Sequence, residues 1–160
     1  LGVSYASTAD ELRSAMVACF AYDERALIER YVPGTELAVS VVDTGEGPHA
    51  LPPVEVVTDG QYDFDARYNP GRSEYFVPAR LDDAVIETVK ATAVTVHTTL
   101  GLGNLSRTDL ILDDEGTPWF IDVNVIPGMT ETSLLPIAAE AEGSLEELYD
   151  ALVRNPLVHP

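Results

Sequence analysis

Apolar and polar positions recur with helical spacing in three stretches of the chain and with a period of two in several others. "STADELRSAMVACFAYDE" (7–24) predicts a helix, with Ser7 or Thr8 as N-cap and Asp10 and Glu11 in its first turn. "RALIERYV" (25–32) and "ELAVSVVD" (36–43) predict two strands separated by the turn "PGT". "TGEGPH" is a further turn, and "ALPPVEVV" (50–57) a third strand whose prolines suit an edge. Residues 58–72, polar, aromatic and turn-rich, predict a long loop of the kind that often carries function. "SEYFVPA" is a short strand, and "LDDAVIETVKATAVTVHTTLG" the longest helix, capped near Asp82 and closed by Gly101. A hairpin over 107–124 and a loop follow. The last element is a helix at "SLEELYDALVRN", with Ser144 and Glu147 placed as a capping box. Strands mixed with helices in this order predict an α+β fold, a mostly antiparallel sheet flanked by helices.

The hairpin carries polar groups that a structural sheet does not need. With Glu115 and Gly116 as the loop residues of "DDEG", Asp114 faces Thr117, Asp109 faces Asp122 and Arg107 faces Asn124. The period of two gathers those four onto one face and sends Ile121 to the other. Facing carboxylates repel one another, so a pair of them beside an amide oxygen suits a hard cation such as Mg²⁺ or Mn²⁺. The same pattern also describes a hairpin whose polar face is merely wet. Downstream, "IPGMTETSLLP" is a Gly- and hydroxyl-rich loop before an apolar segment. Amides around Gly128 suit an oxyanion with Arg107 as charged helper. Ser133 sits where a hydroxyl and helix-start amides grip a carboxylate, or where it acts as an ordinary N-cap.

Composition narrows the partners. The 160 residues carry 27 acidic and 9 basic side chains, a net charge of -18. That balance argues against nucleic acid and anionic membrane, both of which need a basic patch. Lys90 is the only lysine, which leaves arginine for any anion. No apolar run approaches the roughly 18 residues that span a membrane, and no signal peptide opens the chain. A single cysteine, Cys19, excludes an internal disulfide, fits a reducing cytoplasm and is expected in the core. Trp119 and Phe120 are expected as core and sheet-packing residues more than as ligand contacts. His49, His97 and His159 are expected to be ordinary surface or helix residues. A start at Leu1-Gly2-Val3 without Met is expected of a piece of a longer protein.

These pieces, in this order, resemble the D-alanine–D-alanine ligase family of ATP-grasp ligases. "GVS" (2–4) is similar to the end of that family's phosphate loop, and "LIERYVPGTELAVSVV" to its hinge and ribose-binding strands. "LPPVEV" and "YDFDARYNPGRSEYFVPARL" resemble its ω-loop region. "RTDLILDDEGTPWFIDVNVIPGMTETSLLP" resembles its metal hairpin and D-alanine loop. The resemblance implies an ATP-grasp C-terminal domain, with 1–32 a remnant of the central ATP-binding subdomain, 33–160 the C-terminal subdomain and the N-terminal substrate domain absent. It implies that Glu29, Arg30, Tyr31 and Val32 meet adenine, Glu36 holds the ribose, and Ile111 and Ile121 pack on the base. Asp109, Asp122 and Asn124 would bind two Mg²⁺ or Mn²⁺ ions, with Arg67 near the γ-phosphate. Arg107 and the Gly128 amide would stabilise the tetrahedral transition state. Ser133, with the Leu134 amide, would hold the carboxylate of the second D-alanine, and Tyr68 would close over the site. The implied partners are ATP and D-alanine, and the complete enzyme would be a cytoplasmic homodimer, with this half inactive alone. Two positions depart from the family pattern: Asp122 stands for Glu, and Arg67-Tyr68 for Lys-Tyr. D-Lactate or D-serine ligation, and a nucleotide-binding domain without turnover, are the competing readings.

Overall fold

The computed structural model describes residues 2–58 and 73–154. They fall into two compact units divided after Val32. In the first, helix α1 spans Ala9–Cys19. Thr8 is its N-cap: the hydroxyl accepts from the Glu11 N–H at 3.2 Å, and the Glu11 carboxylate accepts the Ser7 N–H at 2.7 Å. The helix buries none of its residues, and Cys19 is half-exposed rather than in a core. Residues 25–32, expected as a strand, are irregular, because no ladder among the described residues includes them. The ring of Tyr31 meets that of Tyr5 edge-on, with centroids 5.7 Å apart.

The second unit is built on an antiparallel sheet. Its strands are β1 (Thr35–Val42), β2 (His49–Ala50), β3 (Val54–Thr58), β4 (Ser73–Phe76), β5 (Leu105–Leu112) and β6 (Pro118–Asn124). They lie in the order β4-β3-β1-β5-β6, with β2 also on β1. The strand expected over 50–57 is therefore interrupted at Pro52-Pro53, which separate β2 from β3. Helices α2 (Asp83–Thr99), α3 (Leu134–Glu142) and α4 (Leu145–Arg154) complete the unit. The segment expected as a loop before the last helix thus contains a helix of its own, α3. Ser144 caps α4 as its sequence predicts, accepting the Glu147 N–H at 3.3 Å. Among the described residues no helix is long and apolar enough to cross a membrane.

Register divides the sheet into two faces. Leu37, Val39 and Val41 of β1 and Leu110 and Leu112 of β5 pack with Val89 and Ala93 of α2. Ala38, Val42, Val54 and Val56 look the other way and pack with Leu134, Leu135, Ala138 and Ala139 of α3. Glu36 points to this second face and is half-buried, beside its register partner Val56. At the β3–β4 edge the Glu55 carboxylate takes both the Arg80 guanidinium (2.6 and 3.0 Å) and its backbone N–H (3.0 Å). The Arg80 side-chain hydrogen bonds outweigh burial and hold the Glu55 carboxyl below the usual range. The guanidinium also lies 3.6 Å over the Phe76 ring.

His97 is a helix residue, one of the two expected settings, and it is buried. It lies on α2 at the spacing of Val89 and Ala93, so it shares their inward face and is 3% exposed. Its Nδ1 is 2.8 Å from Ser106 Oγ. Burial, opposed by Asp43 and the Gly103 backbone, pushes its pKa below the ordinary value. The unfolded chain then binds a proton at a higher pH than the folded one, so stability rises with pH across that window. Lowering the pH from about 7.5 to about 5.5, through the ordinary histidine value, is expected to lower Tm. His97→Gln should show a flatter dependence, and an unchanged slope would contradict this.

Candidate functional site

The hairpin that joins β5 to β6 does not have the expected two-residue loop. The Asp113 N–H donates to the Thr117 carbonyl at 3.1 Å, and the Gly116 N–H to the Asp113 carbonyl at 3.0 Å. Asp113 Oδ1 accepts the amides of Glu115 (3.0 Å) and Thr117 (2.8 Å), and Gly116 has φ +79°. Asp113 therefore faces Thr117, one residue out from the predicted register. A β-bulge restores it: Leu110 pairs with Phe120, but Asp109 pairs with Asp122 and Arg107 with Asn124. Two departures cancel, and the polar pairs form as the sequence predicts. The extra residue is Ile121, and through a bulge strict alternation no longer assigns it to the face opposite Asp122.

Three rows of side chains cross the site face of the sheet. Glu36, Ile111 and Trp119 form one; Ala38, Asp109 and Asp122 the next; Ser40, Arg107 and Asn124 the third. Trp119 and Phe120 are not core residues, being 37% and 50% exposed. They lie on the outermost strand, which is covered from one side only. The bulge exchanges their expected places: Trp119 stands opposite Ile111 on the site face, and Phe120 opposite Leu110 on the other. Trp119 Nε1 donates to Asp113 Oδ2 at 2.7 Å, tying the indole to the turn.

Arg107 is 8% exposed and grips Asp109 with two parallel bonds, Nε to Oδ1 at 2.7 Å and Nη2 to Oδ2 at 2.9 Å. No pairing of neighbours along the strand suggests this from the sequence alone; only the shared face of positions two apart permits it. Asn124 Oδ1 accepts the Ile126 N–H at 3.1 Å, which fixes the amide where the chain leaves β6. Among the described residues no group of three or more His, Cys, Asp or Glu is arranged around a metal position. A cation here would rest on Asp109 and Asp122 with the Asn124 amide oxygen, an all-oxygen set. Mg²⁺ accepts such a set, because it keeps waters and phosphate oxygens for most of its shell.

The loop after Asn124 folds on itself. Ser133 precedes α3 with extended backbone, but its hydroxyl makes no capping bond to the helix. Pro136, third in α3, has no N–H to offer it. Ser133 Oγ instead accepts the Thr130 N–H at 3.2 Å and lies 2.8 Å from Thr130 Oγ1. Gly128 is pressed against it: a Cβ there would stand 2.6 Å from Ser133 Oγ. Tyr149 Oη donates to the Met129 carbonyl at 2.9 Å, so α4 holds the loop from outside. Of the remaining predicted residues, Glu29, Arg30 and Tyr31 are exposed and Val32 is buried, in an irregular segment of the first unit. Arg67 and Tyr68 lie outside the described residues, as does His159.

Residues 1–154 match the family model described as the D-ala D-ala ligase C-terminus. The D-alanine–D-alanine ligase of Magnetococcus marinus is 43% identical over 145 residues, covering 89% of this chain and 46% of that protein. The Bacillus anthracis D-alanine–D-alanine ligase complexed with ATP superposes with a TM-score of 0.79 at 29% identity, over 97% of this chain and 50% of that one. A D-Ala:D-Ser ligase from Enterococcus faecalis, 26% identical, superposes with the same TM-score of 0.79 over 94% of this chain and 44% of its own. The chain spans about half the length of the curated relatives it matches. The bulged acidic hairpin, the two-faced antiparallel sheet and these matches lead to one conclusion: the chain belongs to the D-alanine–D-alanine ligase C-terminal family, with an α+β ATP-grasp fold.

Proposed function

We propose that the chain is the C-terminal, nucleotide- and metal-binding half of an ATP-dependent ligase that joins two D-alanines. The observation that carries this reading is the three-row face, with Glu36, Ile111, Asp109, Asp122, Asn124 and Arg107 on adjoining strands. In this reading residues 1–32 are part of the central ATP-binding subdomain and 33–160 the C-terminal one. Glu29 to Val32 meet the adenine edge, Glu36 accepts from the ribose hydroxyls, and Ile111 and Ile121 pack on the base. Arg67 meets the γ-phosphate, and Tyr68 closes over the acceptor. Asp109, Asp122 and Asn124 hold two Mg²⁺ ions, which when bound neutralise phosphate charge during transfer. Asp122 is one methylene shorter than the glutamate usual in the family, which suits a monodentate or water-bridged contact.

The first D-alanine carboxylate attacks the γ-phosphate and ADP leaves. The amine of the second D-alanine then displaces phosphate from the resulting acyl phosphate. Arg107 and the Gly128 amide donate to the oxyanion that forms at the attacked carbonyl. The Ser133 hydroxyl and the Leu134 amide hold the acceptor's carboxylate. The complete enzyme works in the cytoplasm as a homodimer, and this half alone turns nothing over.

Joining the chain to the N-terminal half of the Magnetococcus marinus relative tests this. With ATP, Mg²⁺ and D-alanine the product is expected to release phosphate and D-alanyl-D-alanine in equal amounts, while either half alone releases neither. Because the Enterococcus faecalis neighbour is a D-Ala:D-Ser ligase, D-serine and D-lactate compete in the same assay, and preference for either would reassign the acceptor. Tight ATP binding without product from any acceptor would make the chain a nucleotide-binding domain without turnover.

A further inference from the structure

We propose that Arg107 is a positioning residue for the metal ligand Asp109, a task beyond the oxyanion role given above and resting on the same metal site. Its grip uses Nε and one Nη2 hydrogen, one to each carboxylate oxygen, at 2.7 and 2.9 Å. A guanidinium holds its N–H groups in one fixed plane, so a grip through two of them sets the orientation of the whole pair. The grip fixes the plane of the Asp109 carboxylate in the row it shares with Asp122.

The surroundings favour this. The Arg107 and Asp109 side chains are 10% and 22% exposed, so the pair is largely shielded from water and its geometry is enforced by packing. Ser40 is the register partner of Arg107 on β1, yet its hydroxyl is buried and without a hydrogen-bond partner among the described residues. The guanidinium is therefore directed along its own strand toward Asp109 and not across to that hydroxyl. Hydrogen bonds to a metal-ligating carboxylate commonly set metal affinity by about ten- to a hundredfold.

A pure charge effect has the opposite sign. A cation beside the site repels a metal, so its removal would tighten binding; loss of a positioning group weakens it. The test is Mn²⁺ affinity of the 160-residue chain with ADP, read by electron spin resonance of free Mn²⁺. Arg107→Lys keeps the charge but not the two-pronged grip, and Arg107→Gln removes the charge. Both are expected to weaken Mn²⁺ binding about tenfold or more. Unchanged or tighter binding in both variants would overturn the proposal while leaving the metal site in place. If the wild-type chain binds no Mn²⁺ that Asp122→Asn removes, the metal site falls and this inference with it. A readout without substitution uses Mg²⁺ and the Arg107 Nε–H resonance of the wild-type chain. Persistence of a slowly exchanging Nε–H at saturating Mg²⁺ is expected, and its loss would show that the metal displaces the grip.

Discussion

Gly34→Ala is expected to lower the stability of the second unit by about 3 kcal/mol, at the upper end of what an inserted methyl costs in a packed site. A Cβ on Gly34 would stand 2.2 Å from the Leu112 carbonyl oxygen and 2.8 Å from Ile111 Cγ2. Neither contact is to the far end of a flexible side chain, so the strand itself has to move. Gly34 leads directly into β1, and Thr35 pairs with Leu112 and Glu36 with Ile111. The displacement therefore enters the row that would hold the nucleotide, and nucleotide affinity should fall together with stability. Gly116→Ala is the control: it has φ +79° but nothing within 4 Å of its Cβ. It is expected to cost only about 1 kcal/mol, from backbone strain. Denaturant unfolding of both variants decides, and equal midpoints would refute the argument from close approach.

Asp122→Asn should separate stability from function. Asp109 and Asp122 are direct cross-strand partners, and like charges so placed destabilise a sheet by up to about 1 kcal/mol. Arg107 offsets part of that repulsion through Asp109. Removing the Asp122 charge is expected to raise Tm slightly in metal-free buffer. The same change removes an anionic oxygen from a site with few protein ligands, and should weaken Mn²⁺ binding by on the order of tenfold or more. A variant both less stable and unchanged in metal affinity would mean that Asp122 is a structural residue.

Much of this site was legible in the sequence because β-structure has a period of two. Once a turn register is chosen between "LIL" and "WFI", the period of two decides which polar positions on either side share a face. The turn itself was misread by one residue, since Asp113 supplies a carboxylate that closes a longer loop than "DDEG" suggests. A bulge is invisible in a pattern of apolar residues, because Trp119, Phe120 and Ile121 are all apolar and give no phase. The pairing of the carboxylates survived only because these two departures cancel. The exposure of Trp119 and Phe120 was not legible for a related reason: an outermost strand and a central one have the same composition when both carry apolar residues. The burial of His97 is not marked by residue type, since a lone histidine on a helix looks polar, although its spacing from Val89 and Ala93 puts it inside. The Arg107–Asp109 grip depends on rotamers, which no spacing rule specifies. Residues 25–32 look like a strand by composition, but a strand exists only where a ladder receives its amides, and here none among the described residues does.

The most direct measurement is paramagnetic broadening of the amide resonances of the 160-residue chain by substoichiometric Mn²⁺ with ADP. Specific binding at the three-row face should broaden Asp109, Asp122 and Asn124 first, shift Glu36 and Ile111, and be reversed by excess Mg²⁺. With a net charge of -18, an unspecific ion would collect elsewhere, at the acidic turn of Asp113 to Glu115 or on α4. Broadening confined to those places, with Asp122 and Asn124 untouched, would contradict the assignment of this face to metal and nucleotide.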